Sequence, residues 1–385
     1  MTNSFKFNHN HKLGKLNFEQ LTDLFLLLSV DRIGPAKIRN LLARFKKLPN
    51  ILSATTSELI ETEGISKELA SRIRKISSQK DSIQKFLEKE LKVLEKMGAR
   101  ILTVWDEDFP PLLKKIYDPP LVLYVLGQFD EKDKYSIAVV GTRQPTNYGK
   151  IQAEKIVTDL VAQNITIVSG LARGIDSTAH TSALKNNGRT IAVIGSGLDV
   201  IYPAENKKLF NEIRDKGVII SEFNLGTLPN AENFPKRNRI ISGLTLGTLV
   251  IETAITGGAM QTARLALDQN REVFAIPGNL GVKQSEGTNM LIQRGEAELV
   301  KNAEDILTEL ELKLKPVLGK NIPKQQKELT IFEEKIYNCL LNEPLQIDKI
   351  AEMTDLSTSD CLVNLLSLEF KGMVKQLPGK MFMLM

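Results

Sequence analysis

The 385-residue sequence has only two cysteines, three histidines and one tryptophan. Cys339 and Cys361 both fall within helical apolar patterns, which argues against a disulfide framework and against a structural zinc site. His9, His11 and His180 include no pair that is suitably spaced with acids or thiols, so we expect no metal site. Catalytic centres that depend on a thiolate or an imidazole base are therefore disfavoured.

Long hydrophobic runs are also missing. The longest run, around residues 24–30, is far too short to span a bilayer, and the first residues do not resemble a signal peptide. The formal net charge of +5 is compatible with a nucleic-acid partner but does not require one. We therefore expect a cytoplasmic protein that makes no membrane contact.

Several familiar cofactor and catalytic motifs are absent. The sequence has no G-x-x-x-x-G-K-[ST] loop for ATP, and GSGLDV (195–200) has Val200 where the dinucleotide fingerprint needs its third glycine. Ser169, Ser196 and Ser221 end apolar segments, but they lack the histidine and aspartate partners that a serine hydrolase requires. We therefore expect no cofactor.

The pattern along the chain predicts several domains, because 385 residues exceed one ordinary domain. We expect five regions, which are a disordered tail (1–15), a helical helix-hairpin-helix or SAM-like domain (16–100), a Rossmann-type domain (101–311), a linker (312–328) and a winged helix (329–385). Within the helical region, 30–45 and 63–76 each place an amphipathic helix after a glycine turn. Such turns can present backbone N–H groups to a phosphate. A small helical bundle without that role fits equally well.

The middle of the chain alternates between strand-like and helical segments. The strand-like segments are mostly apolar and span residues 136–140, 165–169, 190–194, 217–221, 248–252 and 272–276. Alternation of this kind predicts an α/β fold with a doubly wound parallel sheet covered on both faces. In such sheets ligands bind outside the carboxyl ends of the strands.

The last region has the pattern of a winged helix. Helical runs at 331–341, 346–353 and 357–370 precede two extended segments that turn at Gly379-Lys380, and residues 358–360 would begin the second helix of a helix-turn-helix. Winged helices often bind duplex DNA through that helix. Here it is apolar and acidic, with Asp360, Leu362, Val363, Leu365, Leu366 and Glu369. A protein-contact or packing role is therefore at least as well supported.

Loops that follow the predicted strands are rich in glycine, and three of them bring arginine. Arg143 lies in GTRQPTNYG (141–149), Arg173 in SGLARGIDSTAH (169–180), and Arg237 and Arg239 in FPKRNR (234–239). Glycine lets backbone N–H groups approach an anion, and arginine adds bidentate contacts to phosphate oxygens. The loops together predict a site for a polyanion or a nucleotide.

The segment FPKRNR also raises a question of stability. With Pro235 as the first helical residue, Lys236, Arg237 and Arg239 fall in the first turn of a helix, where each cation costs about 0.3–1 kcal/mol. If these cations are held there for a negative ligand, Arg237→Gln should leave the melting temperature unchanged or slightly raised. A clear drop would mean that they are structural and paired with Glu222 or Glu232.

Three other acids follow the predicted strands. Asp176 stands at a predicted helix start and is expected to be its N-cap. Glu222 and Glu252 end strands and could act as acids in a site, cap loops or pair with nearby arginines.

Seven segments, in order along residues 100–310, resemble the DprA/Smf family of bacterial DNA-processing proteins. They are VVGTRQPTNYG, IVSGLARGIDSTAH, TIAVIGSGLDVIYPAEN, IISEF, NFPKRNRIISGL, VIETAITGGAMQTARLAL and PGN followed by GTNMLIQRGEAELV. The resemblance implies a protein that is not an enzyme, that binds single-stranded DNA and forms a homodimer through the Rossmann-type domain. It also implies loading of the RecA recombinase onto incoming DNA during natural transformation.

The resemblance also implies the DNA-binding residues. The G-[ST]-R loop contributes Arg143, together with Thr142 where the family commonly has serine, and the basic segment contributes Phe234, Lys236, Arg237, Asn238 and Arg239. Backbone groups of Gly141, Ser169, Gly170 and Gly174, next to Arg173, would line the same cleft. Phe234 would stack on an unpaired base or serve as a hydrophobic staple of the helix.

Two other readings stay open. The first is a nucleoside-monophosphate phosphoribohydrolase, which shares a related fold. However, TGGAMQTA (256–263) lacks that family's proline and final acid, and the nearest carboxylate, Glu252, precedes the loop. In the DprA/Smf family, which the chain resembles, a small hydroxyl residue usually stands where this loop has Gly258. The second reading is an adaptor whose winged helix mainly binds protein.

Overall fold

The structure is a computed structural model that describes residues 15–314, 329–341, 344–370, 373–377 and 381–384. The predicted disordered tail (all but Lys15), most of the predicted linker and the Gly379-Lys380 turn lie outside the described residues. The chain divides into two compact units, 1–312 and 313–385. Each unit is described by itself.

Six helices open the first unit. They are α1 (Phe18–Leu28), α2 (Pro35–Phe45), α3 (Leu48–Ser53), α4 (Thr56–Ile60), α5 (Lys67–Ile76) and α6 (Lys80–Met97). Asn17 and Thr55 cap α1 and α4 through reciprocal capping boxes, and Gly98 ends α6 in the left-handed conformation. Both predicted glycine-turn helices are present, as α2 after Gly34 and α5 after Gly64.

Nine strands form the sheet of the first unit. They are β1 (Ala99–Thr103), β2 (Val122–Gly127), β3 (Ser136–Val140), β4 (Thr166–Ser169), β5 (Thr190–Ile194), β6 (Val218–Ser221), β7 (Gly247–Val250), β8 (Glu272–Ala275) and β9 (Glu298–Leu299). Their order is β1-β2-β6-β5-β4-β3-β7-β8-β9. From β6 to β9 the pairs are parallel, while β1 and β2 add antiparallel pairs at one edge. All six predicted strands are therefore confirmed, and the doubly wound sheet with them.

Eight more helices connect or follow these strands. They are α7 (Pro111–Lys114), α8 (Asn147–Ala162), α9 (Ile175–Lys185), α10 (Lys207–Lys216), α11 (Asn233–Gly243), α12 (Gly258–Asp268), α13 (Lys283–Gln293) and α14 (Ala303–Leu314). Buried apolar residues of the early helices and of the sheet, such as Leu24, Leu94, Leu123 and Ile219, belong to one continuous core. The sheet is thus held by the N-terminal helices as well as by its own crossover helices.

Two predicted helix starts are wrong. Helix α11 begins at Asn233, two residues before Pro235, so Lys236 is its fourth residue and Arg237 and Arg239 lie in its second turn. These cations therefore avoid the dipole penalty of the first turn, which falls off within that turn. Helix α9 has Gly174 rather than Asp176 as its N-cap, and Asp176 is its second residue.

The second unit contains three helices and a three-stranded antiparallel sheet. Its elements are α15 (Ile331–Cys339), β10 (Leu345–Gln346), α16 (Ile347–Thr354), α17 (Thr358–Phe370), β11 (Val374–Leu377) and β12 (Met381–Leu384), with the sheet order β10-β12-β11. A separate small core packs Ile336, Ile350, Leu365 and Phe382 together. This is the predicted winged helix. Throughout the described parts of the chain, no helix has both the length and the apolarity to cross a membrane.

Candidate nucleic-acid interface

A shallow cleft opens at the carboxyl ends of β3, β4 and β5. Its lining includes Arg143, Gly170, Arg173, Gly195, Tyr202 and Phe234, which come from the loops after these strands and from the start of α11. Its enclosed volume is only about 10 Å³, which is room for about one water-sized group. The cleft is therefore an open surface groove rather than an enclosed pocket.

The crevice at the switch point of the sheet, between β3 and β7, is filled by the protein itself. Glu252 is buried, and its carboxylate accepts hydrogen bonds from the backbone N–H of Thr146 at 2.9 Å and from its hydroxyl at 2.5 Å. The Glu252 carbonyl also accepts a bond from the Thr142 N–H at 2.7 Å. Glu252 therefore caps the loop after β3, which was one of its predicted roles. It does not line the cleft.

The centre of the cleft is an aromatic ring contacted by two guanidinium groups. The Cζ atoms of Arg143 and Arg237 lie 5.5 Å and 5.9 Å from the centroid of the Phe234 ring. Tyr202 packs against the same ring at 5.8 Å with an interplanar angle of 49°. Phe234 is the second residue of α11, inside the helix, whereas a hydrophobic staple precedes the N-cap. The staple reading is therefore wrong.

Arg237 is the most buried cation of the cleft, with 4% of its surface exposed. One of its terminal nitrogens donates to the Val193 carbonyl at 2.7 Å, and its Nε has no partner among the described residues. Burial lowers the pKa of Arg237 to about 10, although the nearby Asp176 carboxylate opposes this shift. The guanidinium is therefore still a cation at neutral pH, buried and only partly satisfied.

The glycine at position 170 makes room for this guanidinium. A Cβ atom there would lie 1.6 Å from a terminal nitrogen of Arg237, so no other residue fits without moving it. The backbone N–H of Gly170 donates to the Asp176 carboxylate at 3.1 Å, and that of Ala172 donates at 3.3 Å. Burial raises the pKa of Asp176, and Arg237 and these bonds oppose the rise. Asp176 thus holds the loop after β4 over Arg237.

Arg239 is engaged by the protein rather than free. It donates to both carboxylate oxygens of Glu222 at 2.5 Å and to the Asp118 carbonyl at 2.7 Å. Burial raises the pKa of Glu222, and Arg239 opposes the rise. The predicted pairing of Glu222 with a nearby arginine is therefore confirmed. It is an ion pair that orients the end of β6 against α11.

The other predicted cations are accessible. Arg143 and Lys236 are exposed, and neither has a carboxylate partner among the described residues. Arg173 donates to Glu205 at 2.8 Å, but both side chains are more than half exposed, so the pair contributes little. Asn238 is half-buried on the same helix. The structure brings Arg143, Arg173 and Phe234 to one cleft and places Arg239 away from its lining.

The remaining predicted residues fix the loops. The Ser169 hydroxyl donates to the Val139 carbonyl at 2.6 Å. Gly174 has a φ of +76°, and a Cβ there would lie 2.4 Å from the Thr142 carbonyl oxygen. At Gly141 a Cβ would meet the Ile175 side chain at 2.6 Å. These residues therefore let the loops after β3 and β4 pack closely together, and this packing sets the position of Arg143.

No nucleophile and base meet in the described part of this edge. The Ser196 and Ser221 hydroxyls donate to the carbonyls of Val200 and Ser196 at 2.7 Å and 2.6 Å. His180 is buried against the Thr190 hydroxyl, and its pKa is lowered to about 3 by burial and by the nearby Arg237. It is therefore neutral, and its ring contacts the Thr190 hydroxyl rather than a serine.

Tyr202 is the lining residue that the sequence reading missed. It follows GSGLDV in the loop after β5, and it is 39% exposed beside Phe234. Its segment, TIAVIGSGLDVIYPAEN, is one of the seven that resemble the family, but Tyr202 was not among the predicted site residues. The signal that could have found it is an aromatic residue in a loop at the carboxyl end of a parallel strand.

Family comparisons agree with this architecture. Residues 100–311 match the family described as DNA recombination-mediator protein A, residues 323–380 match the DprA winged helix domain, and residues 24–78 match the SAM-like helix-hairpin-helix tandem. The first match alone covers more than half of the chain.

Individual relatives cover from about half to nearly all of the chain. Protein Smf of Synechocystis is 36% identical over 91% of this chain and 95% of its own, and DNA processing protein DprA of Streptococcus pneumoniae is 43% identical over 54% and 73%. The X-ray structure of the S. pneumoniae protein has 32% identity and a TM-score of 0.64, covering 77% of this chain and 98% of its own. A structure of the Helicobacter pylori protein, described for its single-stranded DNA binding mode, has 32% identity and a TM-score of 0.50 over 56% and 96%. The chain belongs to the DprA/Smf family of DNA recombination-mediator proteins.

Proposed function

We propose that this protein binds single-stranded DNA at the cleft lined by Arg143 and Phe234, where the buried Arg237 contacts the same ring. The observation that carries the proposal is the contact of two guanidinium groups with one aromatic ring at the carboxyl edge of the sheet. Two like charges so close together repel each other, and an anion between or beside them removes that repulsion. A phosphate is an anion that arginine binds well, because its oxygens match the guanidinium donors.

The shape of the cleft favours a single strand over a duplex or a free nucleotide. Phe234 and Tyr202 offer ring surface next to the cations, and unpaired bases stack on such surfaces with little sequence preference. The cleft is an open groove rather than an enclosed pocket, so a strand would run along the surface past Arg143 and Phe234. The H. pylori relative, whose structure is described for its single-stranded DNA binding mode, supports the same assignment.

We further propose the family's wider role for this chain. It would be a non-enzymatic, cytoplasmic mediator that forms a homodimer through the region 101–311, protects incoming DNA and loads the RecA recombinase during natural transformation. The predicted limits of the helical domain (16–100), the linker (312–328) and the winged helix (329–385) belong to this proposal. Family membership supports it, and the lack of an arranged nucleophile among the described residues agrees with a binding protein.

The test is fluorescence anisotropy of the full-length protein with labelled oligo-dT and with a duplex of the same length, titrated with NaCl. We expect tighter binding to the single strand, a steep loss of affinity with salt, and an affinity lower by about tenfold or more in Arg143→Ala. The control is Arg214→Ala, which removes an exposed arginine at the end of α10. This residue lies directly before β6 and therefore at the amino-terminal ends of the parallel strands, opposite the cleft.

Two outcomes would overturn the proposal. Equal or better duplex binding that Arg143→Ala leaves unchanged would place the DNA site outside this cleft. Release of free base from AMP that disappears in Glu252→Ala would instead favour the phosphoribohydrolase. That second outcome needs a circular dichroism control, because Glu252 caps the first loop.

A further inference from the structure

Helix α17 of the winged helix carries an unusual solvent face. Its buried side packs Cys361, Leu365 and Leu368 into the core of the second unit. On its other side, Leu362, Val363 and Leu366 are 49%, 69% and 53% exposed. Single exposed aliphatic residues are ordinary, but these three are neighbours on one face, at helical spacings of three and four. We call Leu362, Val363 and Leu366 the α17 face.

The charged residues from 355 to 370, which include those of α17 itself, are all negative. Asp355 and Asp360 are exposed near the start of α17, and Glu369 is exposed near its end. From residue 355 to residue 370 the sequence has no lysine or arginine. Helices that read duplex DNA need cations for the phosphates and polar groups for the base edges. The helix that would read DNA in a winged helix is therefore unsuited to it here.

We propose that the α17 face is a docking site for an amphipathic helix of another protein, one whose apolar stripe is flanked by lysine and arginine. The apolar face supplies the contact surface, and the three acids select the charge of the partner. Because Leu362 and Leu366 are one turn apart, they form a short ridge that fits a groove between side chains of a facing helix.

The same charges argue against a second copy of this chain as the occupant. In an antiparallel pair of α17 helices, Asp360 of one copy would approach Glu369 of the other. In a parallel pair, Asp360 would approach its own counterpart. Both arrangements bring like charges together at the rim of the contact, which is a device that excludes a partner rather than one that recruits it.

The experiment uses full-length protein and two synthetic helical peptides that carry a fluorescein label. Both peptides have the same leucine stripe, and one has lysines on its flanks where the other has glutamates. The test variant is the double exchange Leu362→Ser with Leu366→Ser. The control is Leu280→Ser, which makes the same exchange at a leucine of the first unit that is 91% exposed. Circular dichroism of each variant shows that it is folded.

We expect the lysine peptide to bind the wild type at least about tenfold more tightly than the glutamate peptide. The double variant should lose about tenfold or more of that affinity, and Leu280→Ser should lose none. Failure of the lysine peptide to bind, or equal binding of both peptides, would overturn the proposal. So would loss of duplex DNA binding in the double variant, which would make α17 a DNA-reading helix. A wild-type oligomer that the double variant dissociates in sedimentation would instead identify a second copy as the occupant.

Discussion

Arg143 and Arg237 both contact the ring of Phe234, with their Cζ atoms 5.5 Å and 5.9 Å from its centroid. The two arginines differ in every other respect. Arg143 is exposed on the first loop, whereas Arg237 is buried under Gly170. The charge of Arg143 contributes to the lowered pKa of Arg237. One exposed cation and one buried cation therefore share a single aromatic ring, an arrangement that suits an anion.

Phe234 is the residue whose exchange should separate stacking from charge. Phe234→Leu keeps an apolar side chain but removes the ring, so binding of oligo-dT should weaken by about 1–3 kcal/mol, the usual contribution of one stacked base. The slope of affinity against salt should stay nearly unchanged, because no cation is lost. Anisotropy at several NaCl concentrations measures both quantities. The matched control is Tyr135→Leu. Tyr135 is exposed and directly precedes β3, so it lies at the amino-terminal ends of the parallel strands, opposite the cleft.

A change of salt slope in Phe234→Leu, with little change of affinity, would contradict this reading. It would mean that the ring only positions the two arginines and does not stack on a base.

Arg237 is where the structure reverses the expectation drawn from the sequence. Its guanidinium is buried, bonded to the Val193 carbonyl and close enough to Asp176 to shift the pKa of both groups. Arg237→Gln would leave the buried Asp176 carboxylate without this cation, so we expect it to lower the free energy of unfolding by about 1–3 kcal/mol. Chemical denaturation monitored by circular dichroism gives the value. Lys236→Gln, one residue away and exposed, should change stability by less than about 0.5 kcal/mol.

An unchanged or raised melting temperature in Arg237→Gln would restore the earlier expectation that this cation is held only for its ligand. Its affinity for oligo-dT should fall in either case. The stability measurement therefore distinguishes a purely functional arginine from one that also supports the loop after β4.

The six strands from β3 to β8 were predictable because each has an apolar centre and is separated from the next by a helical stretch. Strands β1 and β2 were not, since they form an antiparallel edge outside that alternation. Strand β9 has only two residues. The loops with Arg143, Arg173 and Phe234 were placed correctly at one cleft, because parallel strands bring their carboxyl ends to one edge.

Side-chain burial was not predictable in the same way. The segment FPKRNR contains three cations of similar chemistry. Lys236 is exposed, Arg237 is buried under Gly170, and Arg239 is paired with Glu222. Their fates depend on where α11 begins. The start at Asn233 places Arg237 and Arg239 in the second turn, and the helical period points the three side chains to different surroundings.

Lys236 and Arg239 should therefore behave as opposites. Lys236→Ala should weaken oligo-dT binding and reduce the salt slope by about 1, since it removes one exposed cation that can meet a phosphate. Arg239→Ala should reduce stability by about 1–3 kcal/mol, because it leaves the Glu222 carboxylate without its arginine partner. Its effect on the salt slope should be small. Anisotropy and denaturation on both variants complete the comparison.

The assignment would fail if Arg239→Ala reduced the salt slope as much as Lys236→Ala did while leaving stability intact. The ion pair with Glu222 would then open when DNA binds. The double variant Arg239→Ala with Glu222→Gln is the control, since it removes both charges and should recover part of the lost stability.

His180 should make stability depend on pH. It is buried against the Thr190 hydroxyl, and its pKa falls from 6.5 to about 3 in the folded protein. Between these values the unfolded chain binds a proton that the folded chain does not, so the free energy of unfolding falls as the pH falls from about 6.5 toward 3. At pH 4.5 the loss attributable to this group is about 3 kcal/mol relative to pH 7. Urea denaturation at both pH values measures it.

His180→Asn retains a polar atom near the position of Nδ1 but does not titrate, so the difference between wild type and variant isolates the imidazole from the carboxylates. A variant with the same pH dependence as the wild type would show that His180 is protonated in the folded protein, which its burial beside Arg237 argues against.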